Sequence, residues 1–188
     1  MSSRANSRDV ILDAAETVAV EMGTANLSLD AVAVRAGFSK GGLLYHFPTK
    51  HALLQALIER FIEEYEEARF EARKRLPDTP SRELKAHVHA WNTYFTSGRE
   101  TGRKRIHAAL LAAVAHDSSI MEPLRKKYRW IFEQIVASGV SFERAAIVCL
   151  AVDGIMHMDV LDGLPFDEGE VKRIVKALLR FAGEADSE

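Results

Sequence analysis

The chain has 188 residues, of which 47% are hydrophobic and 28% charged, and its net charge at pH 7 is −2. These proportions are typical of a soluble globular protein with one large or two small domains, and they exclude a chain drawn to nucleic acid by bulk positive charge. The longest apolar run, Ala145 to Val152, is shorter than the ~18 residues that span a membrane, and the N-terminus lacks the apolar segment of a secretion signal, so we expect a cytoplasmic protein without membrane association.

Hydrophobic side chains recur with helical spacing near the N-terminus. The spacing predicts a first helix whose apolar stripe reaches Met22, and a second helix that buries Val32 and Ala33. Ser28 can cap the second helix by accepting a hydrogen bond from a backbone N–H. Gly37 can end it, because a residue without Cβ takes the left-handed turn at low cost.

A short third helix is predicted between Ser39, which can cap it, and Pro48, which stops it. A helix, a tight glycine turn and a short helix form the layout of a helix-turn-helix, whose second helix enters a DNA major groove. The short helix and its surroundings offer positive and hydrogen-bonding side chains that suit phosphates: Lys40, Tyr45, His46 and Lys50.

Two further features of this stretch bear on its partner. Gly41 and Gly42 are poor helix formers, and their place at the start of the short helix indicates the close approach of another backbone. From Ser28 to Lys50 there are three basic side chains and one acidic one, a local net charge of +2. The alternative interpretation is an ordinary helical hairpin turn with scattered polar residues.

A long fourth helix is predicted to begin after Thr49. Its apolar stripe runs from Leu53 to Tyr65, and its last third is mostly charged, with opposite charges three or four residues apart. The segment from Leu76 to Pro80 is the strongest break that follows. We therefore expect a small N-terminal head, 1–52, that carries the helix-turn-helix, and a larger C-terminal body, 53–188, with the boundary inside the helix at 49–75.

Five more helices are predicted after this break. Thr79 and Pro80 start the fifth, the sixth runs from about Arg103 to Ala115, and Asp167 with Glu170 makes a capping box for the ninth. No run of residues alternates with period two. The expected fold class is all-α with about nine helices.

The eighth helix is apolar nearly all round, from Ala145 to Val152 and beyond. A helix of this kind is buried on both sides. We expect one side to face its own body and the other, with the ninth helix, to pair with a second copy in a twofold homodimer. The alternative is a central helix in a monomeric core. Cys149 in this run is expected to be a small core residue.

The stretch from Leu29 to Leu54 carries a family pattern at fixed offsets: Asp30-Ala31-Val32-Ala33, Ala36-Gly37-Phe38-Ser39-Lys40-Gly41, Leu43, His46-Phe47, Lys50 and Leu53-Leu54. The arrangement resembles the tetracycline-repressor (TetR) family of bacterial one-component regulators. One position departs from the pattern. The family usually has a tyrosine after the leucine of the short helix, where this chain has Leu44 followed by Tyr45.

The resemblance implies a dimeric transcription regulator, usually a repressor, that places two short helices in successive major grooves of a pseudo-palindromic operator, about 34–36 Å apart. By position, Ser39, Lys40, Gly41 and Gly42 would approach bases or the nearby backbone. Ser28, Tyr45, His46 and Lys50 would hold phosphates. A small molecule bound in the body would release the DNA. No catalytic residue, metal or cofactor is expected.

Candidate pocket residues are the larger side chains that the fifth to eighth helices could point inward: Trp91, Phe95, His107, Leu110, Trp130, Asp153, Met156 and His157. Aromatic and methionine linings suit flat hydrophobic ligands, and one buried acid would favour a cation. The alternative for each residue is simple core packing.

Three alternatives to a DNA-binding regulator are a metal-binding protein, an enzyme and a helical interaction protein. A metal site could use Asp153 and His157, four apart on a helix, and the remaining histidines are dispersed: His87, His89, His107 and His116. An enzyme is not expected, because the sequence has no nucleophile elbow, phosphate loop or zinc-protease motif. A helical interaction protein with a degenerate DNA head is the third alternative, for which the Leu44 departure leaves room.

Overall fold

A computed structural model describes residues 7–22, 27–96 and 103–184, without the side chains of residues 94–96, 103 and 105. Within these ranges the protein has nine α-helices, one 3-10 helix and no strand, which confirms the all-α prediction. No helix in the same ranges combines the length and apolarity needed to cross a bilayer.

The helices follow one another with short connections. In chain order they are α1 (Ser7–Met22), α2 (Leu29–Ala36), α3 (Lys40–His46), α4 (Lys50–Lys74), α5 (Arg82–Thr96), α6 (Arg103–His116), the 3-10 helix (Ser118–Met121), α7 (Glu122–Ala137), α8 (Phe142–Val160) and α9 (Glu168–Phe181).

Most predicted helix starts are confirmed by side-chain caps. Thr49 Oγ1 accepts a hydrogen bond from the Ala52 N–H at 3.0 Å, as expected for the start of α4. The capping box of α9 is complete, because Asp167 accepts from the Glu170 N–H at 2.8 Å and Glu170 accepts from the Asp167 N–H at 3.1 Å. Such caps satisfy backbone donors that have no partner inside the helix.

Three local predictions need correction. α5 begins at Arg82 rather than at Pro80, because Thr79 uses its carbonyl oxygen to accept the Arg82 N–H at 2.9 Å in a preceding turn. Met22 closes α1 but is 52% exposed, so it lies outside the buried stripe. Helical spacing predicts Met121 on the seventh helix, but it belongs to the separate 3-10 helix before α7, where Asp117 caps the turn.

Two compact units divide the chain. The first comprises Met1–Phe61 and Thr101–Leu124, so the boundary between the units lies within α4. Inside this unit α6 packs on α1. Its core contains the buried faces of α1, α2, α3 and the start of α4, with side chains such as Ile11, Leu12, Val32, Leu43 and Leu53. The boundaries predicted from the sequence place α6 in the C-terminal body, 53–188.

The second unit comprises Ile62–Glu100 and Arg125–Glu188. Its core joins α5, α7 and α8, with Leu84, Val88, Ile135, Val148 and Val152 almost fully buried. α9 packs against α5 and α8. The division of DNA binding and effector binding between a head and a body stays a prediction.

Candidate nucleic-acid interface and buried polar groups

The turn between α2 and α3 is shaped by local interactions. Ser28 Oγ accepts the Ala31 N–H at 3.1 Å at the start of α2, and Ser39 Oγ accepts the Gly42 N–H at 3.1 Å at the start of α3. Between them Gly37 takes a left-handed conformation with φ of 70°. A side chain at residue 37 would strain this conformation. The direction of α3 is therefore set by residues next to it in the sequence.

α3 has one buried face and one open face. Leu43 and Phe47 are buried in the first unit, whereas the Tyr45 side chain is 86% exposed. The eight predicted DNA-contacting residues lie on α3, on its cap, or at the adjoining starts of α2 and α4. Five are exposed (Ser28, Ser39, Lys40, Gly41 and Tyr45) and three are partly buried (Gly42, His46 and Lys50). The structure thus places all eight on three consecutive helices.

Lys40 has an acidic neighbour. Its Nζ lies 2.9 Å from Asp30 Oδ1 and 3.2 Å from Asp30 Oδ2, and both side chains are about two-thirds exposed. An exposed ion pair of this kind contributes less than about 1 kcal/mol. Lys40 can therefore exchange Asp30 for a phosphate at little cost.

The aromatic side chains of α3 pack around His46. The His46 ring lies edge-on to Tyr45, with ring centroids 5.2 Å apart, and to Phe38, with centroids 6.5 Å apart. Leu44, which occupies the usual tyrosine position of the family pattern, is partly buried. The phenol group is thus displayed one position later, by Tyr45.

The two glycines of α3 do not approach another backbone of this chain. A Cβ built on Gly41 would meet no atom within 4 Å. A Cβ built on Gly42 would lie 3.2 Å from Ser39 Oγ, so the small residue protects the cap of α3. The predicted close approach is therefore wrong within the chain, and the space beside Gly41 is open.

The eight candidate pocket residues are divided between the two units. His107 and Leu110 belong to the first unit, where His107 lies edge-on to Phe61 with ring centroids 4.7 Å apart. The others belong to the second unit, and the Phe95 side chain lies outside the described residues. Trp91 is buried in the core, whereas Trp130 is 45% exposed and so does not point inward as predicted.

Asp153 on α8 is the acid of a small polar group in the second unit. Its Oδ1 accepts a hydrogen bond from the Tyr128 hydroxyl on α7, and His157 Nδ1 donates to the Asp153 carbonyl oxygen at 2.7 Å. Burial raises the pKa of Asp153 above its usual value, against the opposing effects of Tyr128 and His157. Asp153 forms no ion pair with a lysine or arginine of the described chain.

A second buried pair was not predicted. The Tyr65 hydroxyl lies 2.6 Å from His87 Nδ1, and His87 is 1% exposed with its Nε2 lacking a hydrogen-bond partner. Burial, with a smaller effect of the nearby Arg69 charge, lowers the pKa of His87 to about 3. His87 is therefore neutral at physiological pH, and the same burial raises the pKa of Tyr65.

The sequence held a signal for these residues. His87 lies three positions after Leu84 and four before Trp91, so helical spacing places it on the apolar face of α5 that these two residues share. Arg69 lies four positions after Tyr65 and is 6% exposed, although it belongs to the mostly charged last third of α4. Helical spacing could have placed both in the interior, but it could not have named their partners.

The metal alternative gains no support from the described residues, which contain no group of three or more histidine, cysteine, aspartate or glutamate side chains placed to hold an ion.

Family models match two parts of the chain. The model described as bacterial regulatory proteins, tetR family, matches residues 11–57, which contain α2 and α3. The model described as tetracyclin repressor-like, C-terminal domain, matches residues 81–183, more than half of the chain. No protein with curated annotation matches the chain significantly.

Several solved structures share the fold. Multidrug binding protein EbrR complexed with malachite green is 25% identical, with a TM-score of 0.67, and the alignment covers 94% of this chain and 98% of EbrR. A TetR family member from Streptomyces coelicolor A3 is 22% identical (92% and 98% covered, TM-score 0.71). Fatty acid degradation regulator FadR from Bacillus halodurans is 15% identical (96% of both chains covered, TM-score 0.73).

Proposed function

Because the chain belongs to the TetR family of bacterial regulatory proteins, it is a DNA-binding transcriptional regulator, and we propose that it is a ligand-responsive repressor that binds a pseudo-palindromic operator as a dimer. The observation that carries this proposal is the open face of α3. Over seven residues it combines a buried anchor, Leu43, with an exposed lysine and an exposed tyrosine.

In the proposed complex, α3 of each subunit enters a major groove, and the two grooves are about 34–36 Å apart. Gly41 has open space beside it, so base edges or the sugar-phosphate backbone can come close to the helix. The residues assigned to bases or nearby backbone are Ser39, Lys40, Gly41 and Gly42. Phosphates are held by Ser28, Tyr45, His46 and Lys50, aided by the positive N-terminal ends of α2 and α4.

The proposed dimer forms through α8 and α9. α8 carries one stripe of exposed apolar side chains, in which Leu150 is 70% exposed; the stripe comprises Ile147, Leu150, Met158 and, directly after the end of α8, Leu161. An exposed apolar stripe of this kind favours pairing with another apolar surface. The twofold symmetry of a homodimer would present the same stripe from the partner.

Gly154 lies on this stripe, four residues after Leu150 and four before Met158. A Cβ at Gly154 would meet nothing within 4 Å, so the fold of one subunit does not require glycine there. Glycine inside a helix costs about 1 kcal/mol relative to alanine. We infer that Gly154 marks the point at which two copies of α8 cross closely.

The proposed effector is a small hydrophobic or aromatic compound, with a positive charge as a further option. Asp153 supports a positively charged effector, because it is a partly buried acid without a lysine or arginine partner in the described chain. Similarity to EbrR, a multidrug binding protein complexed with malachite green, supports an aromatic ligand. The effector would lower DNA affinity by binding the DNA-incompetent state more tightly.

The test begins with selection of duplex DNA from a random pool by the purified full-length protein, followed by gel shifts with the selected sequence. The double variant Lys40→Ala/Tyr45→Ala should lose at least about 100-fold in affinity, because it removes a charged contact to bases or nearby backbone and an aromatic contact to a phosphate from each subunit. Its circular dichroism melt should match that of the unsubstituted protein, since both side chains are exposed.

The matched control is Lys126→Ala, which removes an exposed lysine on α7 and should leave the gel shift unchanged. If the double variant binds as well as the unsubstituted protein, α3 does not read DNA. If the unsubstituted protein retains no duplex, the alternative of a helical metal-binding or interaction protein with a degenerate DNA head replaces the repressor.

A further inference from the structure

A surface groove of about 430 Å³ lies between the end of α4, the start of α5 and the end of α7, entirely within the second unit. We call it the arginine groove, because Arg69, Arg73 and Arg82 line it together with Glu66 and Glu83. Three arginines against two glutamates give the lining a net charge of +1. Its volume falls within the range of small-molecule sites.

The two acids of the groove have no free oxygen. Glu83 accepts from Arg69 at 2.7 Å through one oxygen and from Arg73 at 2.8 Å through the other. Glu66 accepts from Arg69 at 3.3 Å and, through its second oxygen, from Lys127 at 2.8 Å. Every carboxylate oxygen that lines the groove is therefore already paired with a cation.

The arginines, in contrast, keep unused donors. Arg73 uses its Nε for Glu83, and the ends of its half-exposed guanidinium make no further hydrogen bond in the described chain. Arg82 uses one terminal nitrogen for Asp78, whose side chain is 85% exposed, and its Nε has no partner. Arg69 is buried and its Nε also lacks a partner. Among the charged groups of the groove, the spare hydrogen-bonding capacity is thus that of donors, and the neutral Gln134 and Ser138 also line it.

Two aromatic rings border these arginines. Trp130 is 45% exposed and Phe70 is 54% exposed, although each ring is large enough to stabilise a core if buried. The Lys127 ammonium lies 4.0 Å from the Trp130 ring centroid, and the Arg69 guanidinium lies 5.9 Å from it. Half-exposed aromatic surface next to cations offers a flat ligand both an apolar contact and a positive field.

We propose that the arginine groove is a second ligand site, which binds a planar aromatic monocarboxylate with its ring against Trp130 and its carboxylate on Arg73 and Arg82. A carboxylate matches the donor surplus, because it accepts two hydrogen bonds from a guanidinium in the plane of both groups. A single negative charge balances the net charge of +1, whereas a doubly charged phosphate would meet repulsion from Glu66 and Glu83.

This site is separate from the proposed effector pocket. Of the eight residues predicted for that pocket, only Trp130 lines the groove. The acid Asp153, which would favour a cation, does not line it. The inference therefore goes beyond the proposed function and does not depend on operator binding.

The experiment is a calorimetric titration of the full-length protein with 2-naphthoate, its neutral analogue 2-naphthamide and 2-naphthyl phosphate. We expect the carboxylate to bind at least about tenfold more tightly than the amide, because only the carboxylate can accept charge-assisted hydrogen bonds from the arginines. The phosphate should bind more weakly than the carboxylate. Equal binding of amide and carboxylate, tighter binding of the phosphate, or no heat with the carboxylate would overturn the proposal.

The matched variants are Arg73→Gln/Arg82→Gln in the groove and Arg129→Gln outside it. Arg129 is an exposed arginine on α7 that lies 3.9 Å from Glu133. The double variant should lose at least about tenfold in 2-naphthoate affinity and keep operator binding, whereas Arg129→Gln should change neither. Unchanged 2-naphthoate affinity in a folded double variant would also overturn the proposal. If that variant does not fold, the comparison of the three naphthyl compounds with the unsubstituted protein decides the question.

Discussion

The two helices on which the proposed function depends, α3 and α8, expose opposite kinds of surface. α3 has seven residues, buries Leu43 and displays a lysine, a tyrosine and a glycine with open space beside it. α8 has 19 residues, buries one apolar side and displays a second apolar side around Leu150. A helix that contacts phosphates needs donors at its surface, and a helix that pairs with its own copy needs hydrocarbon. The character of the exposed face therefore indicates the chemistry of the partner.

The largest expected effect is on the proposed pairing of α8 with its copy. In Gly154→Leu a bulky side chain would separate the two α8 helices, so the dimer dissociation constant should rise by at least about 100-fold, or roughly 3 kcal/mol. Sedimentation velocity over a range of protein concentrations would measure it.

Gly154→Ala is the control for that substitution. A Cβ has room in the single subunit, and alanine favours the helix by up to about 1 kcal/mol, so the monomer should fold at least as well as the unsubstituted protein. The dimer should be weakened less than by leucine. A Leu variant that stays fully dimeric, or an unsubstituted protein that is monomeric at micromolar concentration, would refute the proposed crossing at Gly154.

An intermediate effect should come from a residue on neither face. His87 is buried, and burial lowers its pKa from the usual 6.5 to about 3. As the pH falls, the His87 ring of the unfolded chain therefore becomes protonated at a higher pH than the ring of the folded protein. Above pH 6.5 the contribution of neutral His87 to the free energy of unfolding is fully retained. As the pH drops from 6.5 towards 3, this free energy falls by up to about 1.4 kcal/mol per pH unit.

The substitution His87→Gln should remove that dependence. We expect it to destabilise the protein by about 1–3 kcal/mol at pH 7.5, through the disturbed contact with Tyr65, and to flatten the loss of stability between pH 6.5 and 4.5. Urea unfolding at several pH values would show both. His116→Gln, at the exposed end of α6, is the control and should keep the original slope. An unchanged slope in His87→Gln would mean that another group controls the acid response.

The smallest expected effect is on DNA binding by α3. Asp30→Asn removes the acidic partner of Lys40 and one negative charge near the proposed phosphates, so operator affinity should rise about two- to fivefold, most clearly at low salt. Fluorescence anisotropy with the selected duplex would detect it. Glu133→Gln, at an exposed position on α7, should leave operator affinity unchanged. Weaker binding by Asp30→Asn would show that the Lys40–Asp30 pair positions the lysine rather than competing for it.

What the sequence predicted well was local. The caps at Ser28, Ser39 and Thr49 and the turn at Gly37 depend on residues within a few positions of one another, and all four are confirmed. The family pattern across Leu29 to Leu54 identified the DNA-binding regulator for the same reason, since its residues share one short stretch.

What the sequence could not supply were contacts between distant segments. The Tyr65–His87 pair joins residues 22 positions apart, and the Arg69–Glu83 pair joins residues 14 apart. Periodicity shows which face of a helix is apolar, but not which neighbour covers it. For this reason the sequence did not show that the half-exposed Trp130 lines the arginine groove or that α6 packs on α1.

Cys149 is the only cysteine in the chain, and it lies buried on α8. Burial raises the pKa of its thiol to about 12, and the reactive thiolate is therefore almost absent at neutral pH. Maleimide reagents should consequently leave the native chain unmodified. A cysteine introduced by Glu133→Cys, at an exposed position of α7 outside the proposed dimer interface, would then accept a spin label or fluorophore at a single known position, so that label-to-label distances could be measured without first removing the native thiol.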